Sequence, residues 1–168
     1  MAYGVEDQLF AFAQQAQDPA CLLWAHLNRG VTLLWLGAFL EARTHIEAAL
    51  ALYGSSQPRA DLPRYGDPAV MGLSHLALVL WILGYPDQGL EKSQQALVLA
   101  QQLEDSFSLA YAETNASLIH QHRREGPVAQ ELAEAAITRS RDQGLPFWFA
   151  GGLIARGRAL VELGQPQE

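Results

Sequence analysis

The sequence predicts an all-α fold, an α-solenoid of about three and a half antiparallel helical hairpins, and three observations carry that prediction. Apolar residues recur at three- and four-residue steps, as in Leu73, Leu76, Ala77, Leu80 and Leu83, and no convincing strand pattern interrupts them. Pro19, Pro68, Pro86, Pro127, Pro146 and Pro166 stand where helices should start, a position that tolerates the missing N–H. The turn pattern L-x-x-L-G occurs at Leu33–Gly37, Leu80–Gly84 and Leu160–Gly164. Glycine there supplies the backbone conformation that ends a helix.

The elements follow in order from those starts and stops. A short helix covers about Glu6 to Gln15. The next runs Pro19 to Leu36, with Asp18 placed to cap it, and another runs Phe39 to Tyr53. An irregular stretch, Gly54 to Gly66, exceeds the usual connection of about two to eight residues between packed helices. It carries Arg59, Arg64 and Tyr65, which suits either a functional loop or an insertion packed on one edge. After it come Pro68 to Leu83, capped by Asp67, then Pro86 to Leu103, Ser106 to Arg124, Pro127 to Gln143 and Pro146 to Leu163.

The spacing of the turns defines a repeat. Gly37 to Gly84 is 47 positions and Gly84 to Gly164 is 80, twice 40, so a further copy should end near Arg124, within HQHRREG. Seven residues before each turn glycine stand Gly30, Ala77 and Gly157, all small, with Ala116 and Ser117 at that level in the remaining copy. In the second helices Ala49, Ala96 and Ala136 align.

Those positions resemble the tetratricopeptide repeat. Gly30, Gly37, Ala42 and Ala49 match it in the first copy, and Ala77, Gly84 and Ala96 in the second, where Gly89 replaces an alanine. Ala129 and Ala136 match in the third, without the turn glycine. Across nearly the whole chain, EARTHIEAALALYG, YGDPAV, LWILGYPDQGLEKSQQALVLAQ, FSLAYAETNASLIHQHRREG and LPFWFAGGLIARGRALVELGQ resemble one bacterial family. In that family a helical-repeat region lies C-terminal to an AAA-type ATPase domain, often behind a class III adenylate or guanylate cyclase domain. The resemblance implies a regulatory or sensing segment of a larger signalling protein. Its members often carry histidines in the long connection, where this chain has Pro58 and Asp61.

Composition narrows the function. The 168 residues are 49% hydrophobic and 17% charged, enough apolar matter for a sizeable core. A net charge of −7 argues against nucleic acid, whose phosphates need Lys and Arg. A single cysteine, Cys21, excludes an internal disulfide and a cysteine zinc site, and its apolar setting suits a buried small hydrophobe. The N-terminus has no signal-peptide pattern and no run reaches a membrane span, so a cytoplasmic location is expected. The sequence shows no phosphate loop, no H-E-x-x-H and no nucleophile turn; a non-enzymatic protein without cofactor or metal is expected.

His120-Gln121-His122-Arg123-Arg124 invites a metal or phosphate reading. Residues two apart on a helix lie about 200° apart, so the two histidines cannot share one ion. Cations at a helix C-terminus suit the macrodipole. His26, His45 and His75 lack acidic residues at ligand spacing.

If the first helix of each hairpin lines a groove, Asn28, His75 and Asn115 form a recurring polar row nine residues before the turns. Trp35, Trp81, His122 and Arg158 join them as candidate groove residues, and Trp24 and Trp148 lie near the starts of their helices. The expected function is a protein- or peptide-binding module. The alternative is a small-molecule sensor with an apolar pocket among Trp35, Trp81 and Phe147, and a structural arm is a third reading. The sequence ends where the last copy should begin its second helix, as a fragment of a longer protein would. Leu153, Leu160 and Leu163 are therefore expected to be partly uncovered, with self-association through the ends.

Overall fold

A computed structural model describes residues 8, 10–15, 18–53 and 66–165. Residues 10–15 are helical, and seven further helices follow. These are α1 (Pro19–Trp35), α2 (Phe39–Tyr53), α3 (Pro68–Ile82), α4 (Pro86–Gln102), α5 (Ser106–His122), α6 (Gly126–Asp142) and α7 (Pro146–Glu162). The expected helix over Glu6–Gln15 is described only in part, and Pro58, Arg59, Asp61, Arg64, Tyr65 and Pro166 lie outside the described residues.

Helices α1 and α3 to α7 end a residue or two before the apolar pattern suggests, because the chain closes each with a specific turn, whereas α2 ends at Tyr53 as expected. Gly37, Gly84 and Gly164 adopt φ of 82°, 88° and 74°. Arg124 takes the same place in the third hairpin with φ 61°, so HQHRREG holds the missing turn without a glycine. At each of these the left-handed residue donates its N–H three residues back, and the next residue donates five back. In the first turn the bonds are Gly37 N to Leu34 O (3.1 Å) and Ala38 N to Leu33 O (2.9 Å). The pair satisfies carbonyls that the helix end would otherwise leave open. Gly144 (φ 66°) makes the same pair of bonds after α6, and Glu104 (φ 52°) donates three residues back after α4.

Helix starts are fixed by acids and prolines. Asp18 accepts from Ala20 N, Asp67 from Ala69 N and Val70 N, and Asp105 from Ser108 N. Each such cap is worth about 1 kcal/mol. Pro86 and Pro146 open α4 and α7, while α6 begins one residue before Pro127.

The helices pack as successive antiparallel pairs, and this is an α-solenoid. Within each hairpin the residue seven before the turn meets the one twelve further on. A Cβ on Gly30 would stand 3.2 Å from the Ala42 carbonyl oxygen, and one on Gly89 would stand 2.7 Å from that of Ala77. Ser117 donates to the Ala129 carbonyl at 2.7 Å. These small residues let helix axes approach until side chains such as Ile46, Leu76, Val79 and Leu80 interlock. Burying each such side chain contributes about 1.5–3 kcal/mol.

Two expectations about α7 are corrected. Leu160 is 4% exposed, covered with the face that packs on earlier helices, whereas Leu153 is 45% exposed as expected. Gly157 does not act as a close-packing residue: among the described residues nothing lies within 4 Å of a Cβ built there. Cys21 is half-buried, and its thiol donates to Asp18 Oδ2 at 3.3 Å, so it is more than an apolar filler.

Candidate ligand-binding face

The first helices of the hairpins, α1, α3, α5 and α7, pack on one another in series, whereas among the described residues no two second helices touch. Closer spacing on one side makes that side the inner one. Three stripes describe each first helix by residues counted back from the left-handed turn residue. Positions 3, 7, 10 and 14 form a buried stripe on α1, Leu34, Gly30, Leu27 and Leu23, in which Gly30 meets Ala42 and Ile46 of the helix's own partner. Position 12 meets the preceding second helix, where Gly72 approaches Leu50 and Gly152 approaches Ile137. Positions 2, 6, 9 and 13 remain for the inner face.

That stripe reads Trp24, Asn28, Val31 and Trp35 on α1, and Met71, His75, Leu78 and Ile82 on α3. It continues as Tyr111, Asn115, Leu118 and His122 on α5, then Gly151, Ala155, Arg158 and Glu162 on α7. Arg158 and Glu162 carry its only formal charges. The chain's net negative charge therefore lies on other surfaces.

The predicted polar row lies on this stripe but is not a row of open hydrogen-bonding groups. Asn28 is exposed. His75 is wedged between α3 and α5: its Nδ1 lies 3.0 Å from the Met71 carbonyl, and the Tyr111 hydroxyl lies 2.9 Å from Nδ1 and 3.2 Å from Nε2. With Nδ1–H donated to Met71, Nε2 accepts from Tyr111. Burial pushes the His75 pKa below its ordinary value, against the opposing Met71 bond, and burial pushes the Tyr111 hydroxyl up. Both rings are held neutral. The Asn115 amide donates to the Tyr111 carbonyl at 2.8 Å. His75 is thus a link between repeats, which corrects its expected role as a free groove donor.

Aromatic contacts cross the first helices. Tyr111 meets Trp148 of α7 edge-on at 4.7 Å between centroids, and Trp148 also meets Phe107 at 5.8 Å and Phe147 at 4.9 Å. Phe147 is 74% exposed at the rim of this cluster. Near the other end of the same helices, Trp81 stacks on His122 at 5.6 Å and 17°. Burial, then the nearby Arg158 charge, lowers the His122 pKa, and Glu162 opposes them. Trp81 and His122 are stacked and Arg158 lies near enough to act on His122, the three residues standing on three successive first helices. Trp35 stands apart, 72% exposed in the last turn of α1. Phe147 lies in the first turn of α7, whereas Trp35 and Trp81 lie in the last turns of theirs. The three do not converge on one pocket.

Sequence reasoning missed Tyr111 and the Trp148 cluster. The signal was present: once Arg124 is taken as the turn residue, the count that places Asn115 on the inner face also places Tyr111 there.

The other histidines are absorbed into structure. His120 Nδ1 pairs with Glu125, and Arg123 bridges Glu125 (2.9 Å) and Asp87 (3.2 Å). His26 and His45 share a hydrogen bond between their Nδ1 atoms at 3.1 Å, with Phe10 edge-on to both rings. No group of three or more metal-ligating side chains occurs among the described residues. Among them, no helix is long and apolar enough to cross a membrane.

No protein-family model and no curated protein matches the chain. Among solved structures it is similar to the crystal structure of BtubC (BKLC) from P. vanneervenii. The TM-score is 0.74 at 18% sequence identity, with 99% of this chain covered. The match spans 66% of the BtubC chain, just under two thirds of its length. At that identity the likeness shows the fold.

Proposed function

We propose that the chain is a non-enzymatic, tetratricopeptide-like module that binds a protein or peptide along its inner face. The observation that supports this best is the aromatic and almost uncharged inner stripe, which includes the exposed Trp35 and has the exposed Phe147 at its rim. Aromatic side chains bury large area with little rotamer entropy, and a stack of packed helices presents them already arranged. The favoured ligand is a segment with aliphatic or aromatic side chains rather than an acidic or basic tail. The sequence resemblance supports a place as the regulatory or scaffold segment of a cytoplasmic bacterial signalling protein.

Selection of a displayed peptide library against the whole chain tests this. Apolar peptides should be recovered, and Phe147→Ala, at an exposed residue, should weaken them about tenfold. Peptides that bind this variant as well as the parent overturn the reading. Cyclase and ATPase assays should stay at background; turnover abolished by one substitution in this chain overturns its non-enzymatic part.

A further inference from the structure

The first hairpin holds two imidazoles, His26 on α1 and His45 on α2, with their Nδ1 atoms 3.1 Å apart. The close crossing of the two helices puts them there, since Gly30, one turn on from His26, meets Ile46, the neighbour of His45. The packing of the repeat does not itself ask for two histidines. Counted from the left-handed turn residues, the same two positions hold Leu73 and Lys92 in the second hairpin, and Glu113 and Leu132 in the third. Phe10 stands nearly perpendicular to both rings, at 4.9 and 5.9 Å between centroids, and limits how far either can turn.

That spacing is a chelate bite. Imidazole nitrogens bind zinc and related ions at about 2.0–2.1 Å, so two of them 3.1 Å apart subtend an angle of about 100° at a shared ion. Both rings are half-buried, and burial lowers each pKa. Arg29 adds to that at His26, and His26 followed by Arg29 adds to it at His45. A metal takes the unprotonated imidazole, so protons compete weakly for this pair at neutral pH. The present hydrogen bond uses one Nδ1–H. With that proton moved through solvent to Nε2, both Nδ1 lone pairs become available and both rings stay neutral. Among the described residues no hydrogen bond at either Nε2 opposes the change.

We propose that His26 and His45 form a two-imidazole site for a borderline divalent transition-metal ion, of the class of Zn²⁺ and Cu²⁺. Two protein donors leave the remaining coordination positions open to water or to a donor on a bound partner. Arg29, whose guanidinium lies 5.7 Å from the Phe10 centroid, acts on both rings and repels any cation placed between them. The ion is therefore exchangeable and not a fixed structural metal. The site stands apart from the inner face, and the binding-module reading does not depend on it.

The test is calorimetric titration of Zn²⁺ into the whole chain at neutral pH, after treatment with a chelator. Saturable binding of one ion per chain is expected. His26→Gln and His45→Gln should each weaken it at least about tenfold, and His120→Gln, on α5, should leave it unchanged. Electron paramagnetic resonance of the parent chain loaded with Cu²⁺ should show coupling to two imidazole nitrogens, a readout that stands even where a glutamine variant fails to fold. Four results overturn the proposal: no saturable binding, parent-like affinity in either of the first two variants, an equal loss in His120→Gln, or coupling to a single nitrogen.

Discussion

The His75 imidazole spends both nitrogens within the chain, one on Met71 and one on Tyr111 of the next repeat. His75→Ala should therefore lower stability by about 1–2 kcal/mol, read from thermal unfolding by circular dichroism. A parent-like midpoint would return this residue to the surface. Because its pKa is lowered from 6.5 in the folded state, the unfolded chain binds the proton more readily. The resulting stability is complete above pH 6.5 and is lost as pH falls through the lowered value. His26, His45 and His122 act with the same sign. Midpoints should fall between pH 7.5 and 5, with a shallower slope in His75→Ala. The equivalence of His75 with Asn28 and Asn115 in the repeat was legible from spacing alone, but its exposure in a groove was not, since it lies between two repeats. Its hydrogen bonds were not, since they depend on Tyr111, thirty-six residues away. Glu113 is the other costly side chain, 6% exposed and held by Arg139 through bonds of 3.1 and 2.9 Å. Arg139→Ala leaves that carboxylate buried and unpaired. A loss of about 2 kcal/mol in denaturant titration is expected, below the figure for a fully buried pair because Arg139 is partly exposed.

Helices in this chain are delimited by left-handed residues more sharply than by hydrophobic pattern. The L-x-x-L-G copies were legible because glycine is cheap at positive φ. In the third hairpin the same conformation falls on Arg124, and in the turn after α4 on Glu104. Those turns carry no compositional mark; only the repeat spacing points to the first. Arg124→Gly should relieve that strain and raise stability by about 0.5–1 kcal/mol, whereas Gly37→Ala should lower it by about 1 kcal/mol. Equal and opposite shifts in unfolding midpoint would confirm the backbone account. No change in either variant would defeat it. The helix starts at Pro19 and Pro68 were equally legible, since aspartate followed by proline specifies both the cap and the first turn.

As a whole molecule, the chain stacks units that touch mainly their neighbours, so stability should vary along it. Helices α3 to α5 have neighbours on both sides and should show the slowest amide exchange. Among the described residues α7 packs on α5 and α6 only, and it should exchange faster. Uniform protection across α3 to α7 in hydrogen-exchange mass spectrometry would contradict this. One feature of the stack bears on how it can move. Tyr53 donates to Asp67, the Asp67 backbone donates to Ser108 Oγ at 2.7 Å, and Ser108 donates to Asp105. The same acids cap α3 and α5, so these helices are joined where they begin. A set of ribs riveted at one edge opens like a fan. Any widening of the inner face to admit a ligand would pivot at Asp67 and Ser108 and spread the opposite edge, where the Trp81–His122 stack would slide or part.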